Sequence, residues 1–404
     1  MEAEAEWVRT TLQRHAEATG QQLVVANPVP FDSRGFEFFS PLFAVEARGD
    51  SGGVRLVAKI LPLQEVDHYL SARDLYRNES LFYGAFLRFL VDTAVRGEAG
   101  LHPIQRIESL FPKLFCAHED ERQCLLALED LTPLGFEHAP KILDLAHMKL
   151  ALQELGGFHA LSYIAKKRNP EMFFDLVKRL NPWDEEKCQQ YSLLIRGMVR
   201  FAADLFRASH PADARKHADR LAALDALADQ FVKLTEPEEP LAVLCHGDYN
   251  RNNVMFKYDA GGRPTSLKMF DLQLATYSSP AIDLSLVLFM STSPEVRDAH
   301  WDELFDAYHR SLADTVAQSG VVETEYSKEA MARDFGRFCV HGFLVTTFFL
   351  PATMMGPEDS LRVARECPRE TSAARLALQQ QLCSDEVKRR LAGLLKVMLD
   401  RNFL

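Results

Sequence analysis

Leu244-Cys245-His246-Gly247-Asp248-Tyr249-Asn250-Arg251-Asn252-Asn253, answered downstream by Phe270-Asp271, is the stretch on which the fold turns. Leu241–Cys245 reads as a strand, and so do Val254–Tyr258 and Leu267–Phe270. The last two flank Asp259-Ala260-Gly261-Gly262-Arg263-Pro264, a strong turn signal. Asp248 and Asn253 lie five positions apart, a spacing that suits a tight loop with both side chains on one side. Asp271 ends the partner strand of the hairpin, so three oxygen-bearing side chains converge. One carboxylate and one amide offer the hard oxygens that Mg2+ prefers beside phosphate oxygens. The remaining carboxylate is left to accept a proton. Phosphoryl transfer needs such a set, because its transition state is stabilised mainly by position and charge.

The same chemistry needs a phosphate-binding cation, and the chain upstream supplies a candidate. Leu42–Arg48 and Val54–Leu61 are β-like runs joined by Gly49-Asp50-Ser51-Gly52-Gly53, the pattern of an antiparallel hairpin. Lys59 interrupts the apolar Val57-Ala58-Lys59-Ile60, and a lysine there costs desolvation unless it is paired. A helix is expected over Glu65 to Val95, with Leu75, Phe82, Phe86 and Leu90 at helical spacing and Glu79 as the partner. Each piece also has a plain reading. Lys59 suits an edge strand facing water, Glu79 a solvated helix face, Asn252-Asn253 a turn and Asp271 a cap. Their joint occurrence, in this order and on these elements, favours the chemistry.

Cys124–Leu128 looks like a buried strand stopped by Glu129-Asp130, and from Lys141 onward the chain is mostly helical. Leu145, Met148, Leu152, Leu155 and His159 mark one face of a long helix. Further helices are expected at about 185–208 and 212–234, and again from Pro280 to the end. The fold class is therefore α+β: a small β-rich N-terminal lobe, 1–131, and a large mainly helical C-terminal lobe, 132–404, with an embedded β-hairpin.

Composition narrows the partners. With 46 basic and 57 acidic residues the 404-residue chain carries a formal charge of −11, which disfavours nucleic-acid binding. Its seven cysteines are scattered and never form a Cys-x-x-Cys pair, so a zinc ribbon or disulfide framework is not expected. The acidic start Met1-Glu2-Ala3-Glu4 is unlike a signal peptide, and the apolar run Phe343–Leu350 is short for a bilayer span and reads as a buried helix end. A cytoplasmic protein with no membrane partner is the expectation.

At His246–Asn253 the sequence resembles the catalytic loop of the aminoglycoside and choline kinase-like phosphotransferases. The wider stretch Val243 to Arg297 resembles the ecdysteroid kinase-like (CHK kinase-like) branch. So do Leu128-Glu129-Asp130-Leu131, Gly157-Phe158-His159-Ala160-Leu161-Ser162 and Phe343–Pro351. The likeness runs from about Lys59 to Met354 and implies a bilobal protein kinase-like fold. It implies that Asp248 accepts the acceptor hydroxyl's proton, and that Asn253 and Asp271 hold Mg2+ against the phosphates of ATP. Lys59, positioned by Glu79, would touch the α- and β-phosphates. Backbone groups at Glu129, Asp130 and Leu131 would bind adenine as a hinge between lobes. Asp283 would brace the catalytic loop, with His246 as structural support, and His159 reads as a packed helix histidine.

Three departures stand out. The phosphate-covering loop is thin in glycine, since Asp32-Ser33-Arg34-Gly35 offers only Gly35. Asp271 is followed by Leu272-Gln273, where the branch more often has phenylalanine before the glutamine. Tyr249-Asn250-Arg251 replaces a more apolar or tryptophan-containing segment, and its Arg251 either contacts the γ-phosphate or faces solvent. The expected activity is transfer of the γ-phosphate of ATP to the hydroxyl of a small molecule. His-Arg-Asp, Asp-Phe-Gly and Ala-Pro-Glu are absent, so a protein kinase fits less well. The branch suggests an ecdysteroid or similar hydroxylated apolar acceptor, and some of the 27 phenylalanines, several in Phe343–Phe349, are candidates to line its pocket. The alternatives are a kinase for choline, ethanolamine or another hydroxylated amine, and a nucleotide-binding pseudokinase.

Overall fold

The structure, a computed structural model, describes residues 2–31, 41–49, 52–62, 72–95, 109–181, 185–322, 326–367 and 373–404. The glycine-poor segment Asp32-Ser33-Arg34-Gly35 and the start of the helix expected from Glu65 lie outside the described residues.

Helix α1 (Glu2–Ala18) leads into strands β1 (Leu23–Val25), β2 (Val29–Pro30), β3 (Leu42–Gly49) and β4 (Gly52–Pro62). Helix α2 (Ala72–Leu81) continues through one π-helical turn, Phe82–Phe86, into α3 (Leu87–Val95). Strands β5 (Leu114–Glu119) and β6 (Gln123–Glu129) complete an antiparallel six-stranded sheet of order β1-β3-β4-β6-β5, with β2 also paired to β3. β4 is central: Lys59 pairs across to Leu42 on one side and Leu126 on the other. The plain reading of Lys59 as an edge-strand residue is therefore wrong.

Alternation along the strands decides what each face of the sheet meets. Phe43, Val45, Ala58, Ile60 and Leu125 point to one face, where Val8 and Leu12 of α1 cover them. Lys59 consequently points to the other face, toward α2, whose Glu79 is buried. The expected single helix is interrupted because its buried ring positions cluster. Phe82, Tyr83 and Phe86 are all buried within one widened turn, and Phe82 packs on Phe111 with ring centroids 4.9 Å apart.

The remainder is mainly helical. After β7 (Glu137–His138) come α4 (Leu145–Arg168), α5 (Pro170–Val177), α6 (Glu185–Ser209), α7 (Pro211–Lys216) and α8 (Ala218–Ala228). The helix expected over 212–234 is thus two helices, broken where His217 leaves helical geometry at φ −110°, ψ 26°. Strands β8 (Val243–Cys245), β9 (Val254–Tyr258), β10 (Pro264–Met269) and β11 (Thr276–Ser278) follow. They form two small sheets, β10-β9-β7 and β11-β8. Helices α9 (Ala281–Met290), α10 (Pro294–Ala299), α11 (Trp301–Gln318), α12 (Lys328–Thr353), α13 (Pro357–Glu366), α14 (Ala373–Gln381) and α15 (Asp385–Asp400) close the chain.

Two close approaches lock this helical part. A Cβ on Gly156 of α4 would stand 2.4 Å from Tyr308 O of α11, and one on Gly342 of α12 would stand 2.2 Å from Ser285 Oγ of α9. The run Phe343–Leu350 lies in the C-terminal half of α12 and is mostly buried, in keeping with a buried helix end. That helix is long and apolar enough to cross a membrane by composition, yet 72% of its apolar window is buried inside the fold, as in a core helix.

Candidate active site

The loop after β8 owes its path to Gly247. Its φ of 82° is in the left-handed region, and a Cβ there would meet Leu274 O at 1.9 Å. Only glycine suits both demands. The loop is then pinned from below by Asp283, fully buried in the first turn of α9. Its Oδ2 accepts from His246 N at 2.6 Å and its Oδ1 from Gly247 N at 2.9 Å. His159 Nε2 lies 3.1 Å from the same carboxylate, and His159 Nδ1 lies 2.8 Å from Tyr308 Oη. Burial works against the charge of Asp283, but His159 and the loop amides outweigh it and hold the carboxyl below its ordinary value. His246 Nε2, 2.9 Å from Phe270 O, ties the loop to the strand that ends at Asp271.

Asp248 is held by two amides, one on each oxygen. Asn250 Nδ2 donates to Oδ1 and Asn253 Nδ2 to Oδ2, both at 2.7 Å. Burial and the neighbouring charge of Asp271 push its carboxyl up to about 7, against the pull of those two amides. A carboxylate poised there is matched to taking a proton near neutral pH.

Asp271 has φ 66° and ψ 56°, an uncommon conformation for a residue with a side chain. Such outliers gather at functional sites, and this one turns the carboxylate toward the sheet. Lys59 Nζ donates to Asp271 Oδ1 at 2.6 Å, to Glu79 Oε2 at 3.0 Å and to Gln273 Oε1 at 2.9 Å. Burial opposes the lysine's charge, yet Asp271 and Glu79 together hold it above its ordinary value, so it stays an ammonium. Phe270 N donates to Asn253 O at 3.1 Å, which sets the Asn253 and Asp271 positions side by side. The Asn253 amide nitrogen is spent on Asp248, so its oxygen is the atom offered to a cation, and with the Asp271 carboxylate it makes a donor pair of the hard kind Mg2+ takes.

Just after β6, Asp130 Oδ1 accepts from Thr132 N at 2.9 Å and Oγ1 at 2.5 Å, and Asp130 N donates to Arg55 O at 2.9 Å. Glu129 N donates to Lys113 O at 2.9 Å. The Glu129 and Asp130 amides, expected to meet adenine, are thus bonded to Lys113 O and Arg55 O. Leu131 instead packs with Phe136 and Met255, with Phe270 against them, as an apolar patch between the sheet and the loop.

Sequence reasoning left three participants out. Gln273 completes the shell of Lys59, Asn250 carries half of the hold on Asp248, and His159 is more than a packed histidine because it grips the residue that pins the loop. Gln273 and Asn250 stand within two positions of residues that were singled out, which is the signal that pointed to them. Arg251 does not face solvent: it is 4% exposed, and its Nη2 donates to Thr353 O at 3.0 Å. Burial costs its charge and lowers its value.

A model of the ecdysteroid kinase-like family matches residues 37–321. A search of curated proteins finds no match. Among solved structures the chain is similar to an ethanolamine kinase of Plasmodium vivax, at 11% identity over 95% of this chain and 84% of that one, with a TM-score of 0.42. It is also similar to a spectinomycin phosphotransferase solved with ADP and spectinomycin, at 14% identity over 91% and 92% of the two chains, with a TM-score of 0.39. A Streptomyces rimosus aminoglycoside phosphotransferase solved with ADP and streptomycin matches at 15% identity over 83% and 98%, with a TM-score of 0.33.

Proposed function

Because the chain belongs to the ecdysteroid kinase-like family, we propose that it is an ATP- and Mg2+-dependent kinase that phosphorylates the hydroxyl of a small, largely apolar metabolite such as an ecdysteroid. One observation carries this reading. Lys59 is bonded to Asp271 and Asp248 to Asn253, and the bond from Phe270 N to Asn253 O sets these two pairs side by side between the central strand of the sheet and the loop after β8.

Asn253 and Asp271 are the residues that would hold Mg2+, which supplies positive charge against the triphosphate when bound. Lys59 adds its own charge there, aligned by Glu79 and Gln273. The adenine would lie on the apolar patch of Leu131, Phe136 and Met255. In the transfer, the acceptor oxygen bonds to the γ-phosphorus as the bond to the bridging oxygen breaks. ADP leaves, and the hydroxyl proton passes to Asp248. The two amides on Asp248 fix its orientation, so little reorganisation accompanies the step.

Support for an apolar acceptor comes from Phe348 and Phe349, which are only half-buried near the end of α12, whereas Phe343 is committed to the core. The test is a mass-spectrometric screen for the gain of one phosphate across hydroxylated steroids, hydroxylated amines and other alcohols, with ATP and Mg2+. Asp248→Asn serves as the control. Transfer to a steroid alcohol that the variant loses supports the reading. Transfer only to amines redirects the acceptor class, and ATP turnover equally slow in both proteins with every acceptor leaves a nucleotide-binding protein without kinase activity.

A further inference from the structure

Three buried guanidiniums gather around the segment that follows α9. Arg251 opens the 3-10 turn that carries Asn253, and beyond its bond to Thr353 O its backbone N–H donates to Ser291 Oγ at 3.0 Å. Arg390 of α15 donates from Nη2 to Met290 O and Thr292 O, each at 2.8 Å, and its Nη1 lies 3.7 Å from Met354 Sδ. The two side chains therefore meet at the adjacent residues Thr353 and Met354, where α12 ends. Arg297 of α10, 2% exposed, has a buried Nη2 with no hydrogen-bond partner among the described residues.

The acceptors around these cations are mainly carbonyl oxygens at helix ends and a thioether. Helix C-termini orient a guanidinium and supply partial negative charge, but not a full counter-ion. Of the three arginines only Arg297 makes an ion pair among the described residues, with Asp298 at 2.9 Å. Burial pushes Arg390 down to about 10; the charge of Glu386 is the largest pull the other way, ahead of the repulsion from Arg297 and Arg251. Glu386 is itself paired with Arg389. A buried guanidinium is well matched to the planar, multidentate oxygens of a carboxylate, sulfate or phosphate.

Partly exposed apolar side chains adjoin this cluster of arginines. Phe349 precedes Thr353 by one helical turn on the same face of α12, and Phe348, Phe349 and Met354 are each half-buried. We propose that Arg251 and Arg390 together bind an oxyanion carried on the acceptor, so that the acceptor is an apolar hydroxylated compound bearing a carboxylate, sulfate or phosphate ester. The word acceptor rests on the kinase reading. The anion anchor and the base Asp248 then sit on one loop, three residues apart.

The test uses the full chain and three probes: a dihydroxysteroid, its monosulfate with one hydroxyl free, and inorganic sulfate. Calorimetric titration is expected to show the monosulfate binding at least tenfold more tightly than its parent and more tightly than inorganic sulfate. Arg251→Gln and Arg390→Gln are expected to lose that advantage, with Arg251→Lys retaining part of it. Circular dichroism and thermal unfolding measured in parallel report on folding, and Arg251→Gln stands alone if Arg390→Gln fails to fold. Equal affinity for the parent and the monosulfate, or an advantage that survives Arg251→Gln, overturns the proposal. Inorganic sulfate binding as tightly as the steroid sulfate overturns the assignment of the anion to the acceptor. These binding outcomes decide the anion anchor even if no compound gains phosphate, a result that would count only against the kinase reading.

Discussion

Asp248 is buried enough to favour its proton, yet two amides hold its oxygens in the geometry of an acceptor. Replacing it with asparagine keeps the shape and removes the basicity. Asp248→Asn is expected to lower kcat by roughly 10²–10⁴-fold with ATP affinity little changed, read by steady-state kinetics beside direct nucleotide titration. His341 presents the opposite problem. It is 1% exposed and stacks on Phe231 at 5.0 Å between centroids, and neither ring nitrogen has a hydrogen-bond partner among the described residues. Burial lowers it from 6.5 to about 4. Between those values the unfolded chain binds the extra proton, so stability is fully present above pH 6.5 and falls as pH drops toward 4. The loss from this one group between pH 7.5 and pH 5 is about 2 kcal/mol. His341→Phe is expected to flatten that acid limb in denaturant titrations at the two pH values. An unchanged slope would show that the ring is solvated.

At the scale of elements, two glycines separate function from packing. Gly247 bends the catalytic loop under Leu274 O, whereas Gly342 lets α12 approach α9. Gly342→Ala should destabilise by about 1–3 kcal/mol through overpacking while the folded fraction keeps its turnover number. Gly247→Ala should lose turnover out of proportion to stability, because the Asp283 grip on the His246 and Gly247 amides is displaced with it. Thermal unfolding and kcat, measured on both variants, distinguish the two. The elements also show what could be read in advance. The hairpin of β9 and β10 and the loop before it were legible because Asp259–Pro264 and His246–Asn253 carry their turn chemistry locally. The central place of β4 was not, since strand order depends on which distant segment pairs, and β6 lies beyond α2 and α3. Gln273 and His159 escaped for the same reason: their partners Lys59 and Asp283 are more than a hundred residues away. Arg251 left two readings open because its partner, Thr353, belongs to a distant helix.

Across the whole molecule, the N-terminal part and the helical part meet through several polar contacts, among them Lys59 on Asp271 and Gln273, Asn78 on Gln273 O and Asn181 O, Arg168 on Thr93 O and Ala94 O, and Met269 N on Leu110 O. A ligand that binds between the two parts should therefore stabilise the folded chain as a unit. With ATP and Mg2+ at a hundredfold excess over Kd, linkage gives about 2.7 kcal/mol, seen as a concentration-dependent rise in Tm. The sheet depends on α1 for one of its faces. Leu12, fully buried there, is expected to cost about 2–5 kcal/mol when truncated to alanine, measured as a loss in denaturant midpoint.

The contact between Lys59 and Asp271 also governs the order of events. The ammonium is bonded to the carboxylate that is proposed to hold the metal. On the proposed reading, Mg2+ would compete with the lysine for Asp271, and the phosphates of ATP would offer the lysine other partners. Metal and nucleotide should thus enter as one complex, with the lysine exchanging its carboxylate for phosphate as they do.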